Sequence, residues 1–297
     1  MLEGMIRRHL NKLVNVLRLY PLIAVLMMMG CKKEIFFDYN EIEPVVVVEG
    51  RVTNEGTQVF VSKSRSMNDS VKARCLMGAL VTVTADGVER VVAYDEQKGC
   101  YASNLIGTPG TTYRLAVDFE GHHYEGTSTM PSVAPVLSAE FLWQPVLEEK
   151  LLAYEVWAVD PNPQERNYYW YRMDRTWHHP HFEGENHKEA YRWNAFDDRG
   201  CPPGKIYRDV MCMSERAAEE DEEENWKGIL YEGDTITFQL MTIDRDAYEY
   251  FTSLRAGQGG GANPRTNLTG GCQGYFAAGS VSHADTLVYS KEIIKER

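Results

Sequence analysis

The chain has 297 residues, 31 Lys and Arg against 43 Asp and Glu, and a formal net charge of −12 at pH 7. An acidic surface repels phosphate backbones and anionic headgroups, which excludes nucleic acid and anionic lipid as electrostatic partners. Ten Phe, 17 Tyr and six Trp supply ample material for a strand-built core, and the absence of any Cys-x-x-Cys leaves zinc ribbons and thioredoxin-like redox chemistry without support.

Leu19 to Cys31 reads LYPLIAVLMMMGC and follows Arg7, Arg8, Lys12 and Arg18. A basic n-region, a short apolar h-region and a small residue before the cut make residues 1–30 a secretory signal peptide. The run is too short for a membrane-spanning helix, which needs roughly 20 apolar residues. Gly30-Cys31 resembles the lipobox of bacterial lipoproteins, with Met28 and Met29 in slots more often filled by Leu and by Ala or Ser. Lipidation is therefore expected at Cys31, with residues 31–43 as a lipid-anchored tether. Each buried CH2 of an acyl chain contributes about 0.8 kcal/mol, and one chain alone anchors only marginally, so stable tethering takes several. Removing residues 1–30, with four Lys/Arg and Glu3, leaves a charge of −15.

Outside the cytoplasm disulfides form. Beyond Cys31, local proximity pairs Cys75 with Cys100 and Cys201 with Cys212, leaving Cys272 free; five unpaired thiols are the equal alternative.

From Pro44 the pattern is β. Val45 to Val48 is a β-branched run ended by Glu49-Gly50, and Asn54-Glu55-Gly56 is a turn. Leu80 to Thr84, Asp86-Gly87 and Val88 to Tyr94 read as a hairpin, since Asp-Gly supplies the positive φ of a tight turn. Tyr113, Leu115, Val117 and Phe119 alternate, Glu120-Gly121 turns, and His122 to Met130 returns. About seven short strands predict an immunoglobulin-like sandwich over 44–131. PSVAPV at 131–136 reads as a hinge. A second β-rich domain is expected over 137–290, with strands at 137–143, 152–158, 168–173, 206–213, 234–242 and 274–281. Residues 178–204 read as a long loop and Lys291 to Arg297 as a frayed tail. Asp244 N-caps one short helix with Tyr248, Phe251 and Leu254 at spacings of three, ending at Gly257. The fold class is thus mainly β.

The order of these pieces resembles the DUF4249 family of Bacteroidetes lipoproteins. The resemblance rests on Val47-Val48-Glu49-Gly50, Tyr101-Ala102-Ser103 and Tyr113-Arg114-Leu115. It continues through Asp160-Pro161 with Asn167-Tyr168-Tyr169, Asp244 to Tyr250, and GGCQGYFAAGSVS at 270–282. It covers the whole chain after the signal peptide. It implies a cell outer-membrane protein with no assigned activity and no cofactor, partnered with a TonB-dependent receptor; which membrane face is occupied stays open.

Three constellations bear on function. His178, His179, His181 and His187, with Glu183, Glu185 and Glu189 nearby, are a weak metal-site candidate, since no pair has helical i, i+4 spacing. The acidic run 219–224 (EEDEEE) reads as a solvated loop and lacks the EF-hand pattern. Alternate rings on strands face opposite sides, so Tyr169, Tyr171, Trp177, Tyr191 and Trp193 are the expected ligand surface. Ser280 and His283 lie close but show no orienting acid, and no G-x-S-x-G, H-E-x-x-H or Walker A occurs. Asp69-Ser70-Val71 matches a short O-glycosylation sequence. The expectation is a non-enzymatic envelope lipoprotein. The alternatives are a metal-dependent hydrolase using the His178–His187 region and a purely structural envelope protein.

Overall fold

The computed structural model describes residues 43–65, 73–147, 149–178, 187–214, 228–257 and 263–296. The expected signal peptide, Cys31 and most of the tether lie outside these residues, as do Asp69-Ser70-Val71, His179, His181 and the acidic run 219–224.

Turn chemistry sets the first hairpins. β1 (Val46–Thr53) and β2 (Gly56–Lys63) close over Asn54-Glu55. β3 (Leu80–Ala85) and β4 (Val88–Val91) close over Asp86-Gly87, at φ 50° and 74°. After β5 (Tyr94–Asp95) and β6 (Cys100–Ser103), β7 (Thr112–Phe119) and β8 (His122–Thr129) close over Glu120-Gly121, at φ 50° and 78°. Two central residues at positive φ match the right-handed twist of the flanking strands. There follow β9 (Val136–Val146), β10 (Glu149–Val159), β11 (Tyr168–Thr176), β12 (Lys188–Asp197), β13 (Lys205–Met211), β14 (Met213–Ser214), β15 (Ile229–Leu230) and β16 (Thr235–Ile243). Helix α1 (Arg245–Gly257), β17 (Gln273–His283), β18 (Leu287–Val288), a 3-10 turn and β19 (Lys295–Glu296) complete the chain. The fold is mainly β, with one α-helix among the described residues.

The strands form a nine-stranded sheet, in order β12-β11-β16-β17-β1-β2-β6-β5 with β18 also on β16. Two four-stranded sheets, β4-β3-β7-β8 and β13-β10-β9-β19, and the short β14-β15 pair accompany it. Val48 and Val52 of β1, with Phe276 and Ala278 of β17, bury against Val83, Leu115 and Val117 as a first core. Tyr169, Tyr171, Ile236 and Phe238 bury against Phe141, Leu152, Tyr154 and Val156 as a second. Directly opposed residues share a face. Leu240 of the second core opposes Ser282, which shares its side of β17 with Phe276, so both smaller sheets cover the same face of the long one. Helix α1 covers the other face, with Ala247, Tyr250 and Phe251 against Trp170, Met241 and Ala277.

β17 holds the halves together by changing partners. Residues 273–279 run parallel to β1, whereas residues 280–283 pair antiparallel with β16 on the opposite edge. Each change leaves backbone groups open, and a buried open group costs about as much as a lost hydrogen bond. Side chains fill the gaps. Asn54 donates Nδ2 to Val281 O at 3.0 Å and accepts Val281 N at 2.7 Å. Asn267 donates Nδ2 to Phe276 O at 2.7 Å and accepts Phe276 N at 2.9 Å. Ser128 Oγ accepts Ala278 N at 2.8 Å and donates to Asp244 Oδ2, while Asp244 Oδ1 caps α1 by accepting Ala247 N at 2.9 Å.

Two glycines permit this approach. At Gly274 (φ 108°) a Cβ would lie 2.0 Å from Val48 O, and at Gly50 one would lie 2.8 Å from Leu115 Cδ2. Gly50 therefore does not end β1, as the Glu-Gly reading expected, but makes room for Leu115 and Phe276 in mid-strand.

Other expectations are corrected. Residues 44–297 form one compact unit. The boundary at 131–136 separates segments that share a sheet, and the 44–131 sandwich borrows β17 for one of its layers. The loop expected over 178–204 contains edge strand β12. The tail is paired as far as Glu296, since Lys295 and Glu296 pair with Leu142 and Trp143. All five described cysteines are free thiols. Cys201 Sγ sits against Tyr207 O at 3.7 Å, and the extended stretch from Tyr207 to Cys212 spans about 16 Å against the roughly 7 Å Cα limit for a disulfide. Cys75 is instead engaged as an acceptor for Val61 N at 3.3 Å.

Asn267→Ala removes two hydrogen bonds and orphans both backbone groups of Phe276. It is expected to cost about 2–4 kcal/mol, read as a lower urea midpoint with unchanged m. Asp244 carries a pH signature. Burial raises its carboxyl above the usual range, against the opposing hydrogen bond from Ser128. The folded state then holds this proton at pH values where the unfolded chain has lost it, so stability falls as pH rises from about 4 through the folded pKa. Asp244→Asn keeps a capping side chain without the titration. The stability of the variant relative to the parent is therefore expected to rise with pH across that window in urea melts.

Candidate functional site

The five expected ligand-surface rings divide. Tyr169 is fully buried and stacks on Phe196, with ring centroids 5.3 Å apart. Trp177 is buried with the Arg175 guanidinium 3.3 Å from its ring centroid. Both are core. Tyr171 and Tyr191 are buried members of the second core too, yet with the half-buried Trp193 they line a cleft of about 450 Å³. It opens where β12, the last strand of the long sheet, meets β13, the last strand of the smaller sheet.

Strand register explains what the cleft contains. Arg208 of β13 opposes Val156, and Arg192 of β12 opposes Met173; both opposed residues belong to the second core. The two arginines therefore point inward, one from each edge. Arg192 lies over the Tyr191 ring at 4.1 Å and donates Nη1 to Tyr191 O at 3.0 Å. Arg208 lies over the Phe196 ring at 5.2 Å. Arg255, in the last turn of α1, donates Nη1 to Trp193 O at 3.2 Å. Burial raises the Tyr171 hydroxyl pKa, and the neighbouring Arg208 and Arg255 pull it back. Tyr191 is fixed at its tip, donating to Gly228 O at 2.8 Å and accepting Met213 N at 3.2 Å.

Below the cleft lies a buried charge centre. Arg175 and Asp234 are both fully buried, 3.7 Å apart. Arg175 also donates to Glu189 Oε1 at 2.7 Å and to Ile229 O. Asp234 accepts the backbone N–H of His178 at 2.7 Å and of Tyr231 at 3.0 Å. One guanidinium faces two carboxylates, and backbone N–H groups donate to Asp234 as well, the hydrogen bonding under which buried charge is tolerated. Sequence reasoning missed this centre, and only the pairing of β11 with β12 brings Arg175 to Glu189.

The histidines take backbone roles where they are described. The His178 ring lies so close to Gly233 that a Cβ there would meet it at 2.5 Å. His187 O accepts Trp177 N at 3.0 Å. Among the described residues no three His, Cys, Asp or Glu side chains cluster as a metal site; His179 and His181 lie outside them. Ser280 and His283 face opposite sides of β17, Ser280 bonding Pro131 O at 2.5 Å and His283 bonding Glu55 Oε1 at 2.5 Å. Burial pushes the Cys212 thiol up to about 12 and the Cys272 thiol up to about 11, so both stay protonated and unreactive at neutral pH.

Thus the long sheet's free edge, the smaller sheet's free edge and the end of α1 together build one cleft, with three guanidinium groups at its wall. A comparison with curated proteins returned no match. A family model, described as a domain of unknown function, matches residues 32–284, nearly all of the chain that follows the apolar N-terminal run. The chain belongs to the DUF4249 family.

Proposed function

We propose that this protein is a lipid-anchored lipoprotein of the cell outer membrane, held through Cys31, that recognises a ligand without transforming it and serves beside a TonB-dependent receptor. The observation that carries the binding role is the β12–β13 cleft. It has the size of a small-molecule site and combines ring surfaces with a few convergent polar groups. Its walls are edge strands and a helix end, rigid elements that hold a fixed shape. The anchor rests on the sequence of Leu19 to Cys31. Among the described residues no helix is long and apolar enough to cross a membrane, so under this reading the acyl chains at Cys31 supply the attachment.

Cys31→Ser is expected to move the protein from the membrane pellet to the soluble envelope fraction, with loss of the lipid mass on the N-terminal peptide. In-cell crosslinking of the parent protein is expected to capture an outer-membrane receptor. An unmodified Cys31 in the membrane-bound parent, or crosslinks without any receptor, contradicts the proposal.

A further inference from the structure

The geometry points to a small organic anion, a carboxylate or a phosphate, as the ligand of the β12–β13 cleft; this rests on the cleft being a ligand site at all. Three guanidinium groups from three elements, Arg192, Arg208 and Arg255, line it. The single carboxylate in the lining, Asp209, faces away. It is adjacent to Arg208 on the strand and so lies on the opposite face of β13, where it accepts the Tyr207 hydroxyl.

Elsewhere several arginines are matched with acids, although Arg51 instead donates to Gln58 Oε1 at 2.8 Å. Arg114 pairs with Glu125, Arg166 and Arg199 with Asp197, Arg172 with Asp174, and Arg245 with Glu249. In a chain with 43 acidic residues, partners are plentiful. Among the described residues, those in the cleft form no ion pair and rest on neutral groups. Arg192 and Arg208 lie over rings, and Arg192 and Arg255 donate to carbonyls. Arg208 Nε is buried and has no acceptor.

A buried guanidinium N–H without an acceptor is costly. An incoming oxyanion removes that cost and accepts two parallel bonds from a guanidinium fork. Arg192 and Arg208 approach from opposite strands and Arg255 from the helix. That arrangement suits a ligand with at least two oxyanionic groups, or one phosphate bonded on several sides. The rival explanation is that inward charges on edge strands merely block pairing with another sheet. That role needs charge on the edge, not guanidinium geometry, and it takes no ligand.

The test is calorimetric titration of the purified full-length protein with citrate, with inorganic pyrophosphate and with the neutral trisaccharide maltotriose. One of the two anions is expected to bind with a Kd below about 1 mM, and which one distinguishes a carboxylate from a phosphate ligand. Binding is expected to weaken by about tenfold or more in Arg192→Met and Arg208→Met, and also in Arg208→Lys, which keeps the charge but loses the fork. If either core-facing variant melts early, Arg255→Met at its exposed helix position gives the same reading. Anion binding that survives all of these variants overturns the inference. Maltotriose binding lost in Asn194→Ala, with neither anion bound, overturns the anion while the cleft stands as a ligand site. Silence from all three probes overturns both.

Discussion

The architecture depends on one strand that belongs to two half-sheets. β17 is parallel to β1 along its first part and antiparallel to β16 along its last. A strand that changes partners must leave N–H and C=O groups facing nothing, and the interior gives them no water. Asn54 and Asn267 each answer with a side-chain amide, which carries both a donor and an acceptor in one plane, as a neighbouring strand would. Ser128 closes the remaining gap and ties β8, β17 and the cap of α1 into one knot. The segment most typical of the family resemblance, residues 270–282, is this strand and its approach.

That constraint reaches the cleft. Because β17 continues the sheet from β1 into β16, β11 and β12 follow at its far side, and β12 becomes a free edge. The β10–β13 pairing places a second free edge opposite, on the same face. Two sheets that pack face to face without closing into a barrel leave such an open margin. Here the margin is filled with arginine where the neighbouring core positions hold Val, Met and Tyr. The Arg175–Asp234–Glu189 centre sits just inside it and fixes β11 and β12 in register.

Much of the local structure was legible in the sequence. Asp86-Gly87 and Glu120-Gly121 dictated their hairpins, and Asp244 its helix, because those signals are contained in a few adjacent residues. Partner choice was not legible. Nothing in Asn54 or Asn267 distinguishes a loop amide from a strand surrogate until Val281 and Phe276 are beside them. The hinge reading of PSVAPV failed for the same reason, since the contact that unites the chain spans more than 200 residues of sequence. β12 was hidden by its own composition. An edge strand with Arg192 and Asn194 facing inward breaks the apolar alternation that identifies strands. The cleft was half visible: Tyr171, Tyr191 and Trp193 were singled out as rings, whereas the arginines that give it character were not, because their inward direction follows only from register.

The central claim is that β17 makes residues 44–297 one cooperative unit on which the cleft is built. Native-state hydrogen exchange at the amides of Phe276, Ala278 and Val281 tests it most directly, because these three are held by side chains alone. The account predicts that all three exchange only through global unfolding, with the same free energy and denaturant dependence as the core amides of β7 and β10. Exchange at Val281 and its β16 neighbours through a separate, lower-energy opening, while the β1–β7 core stays protected, would contradict it.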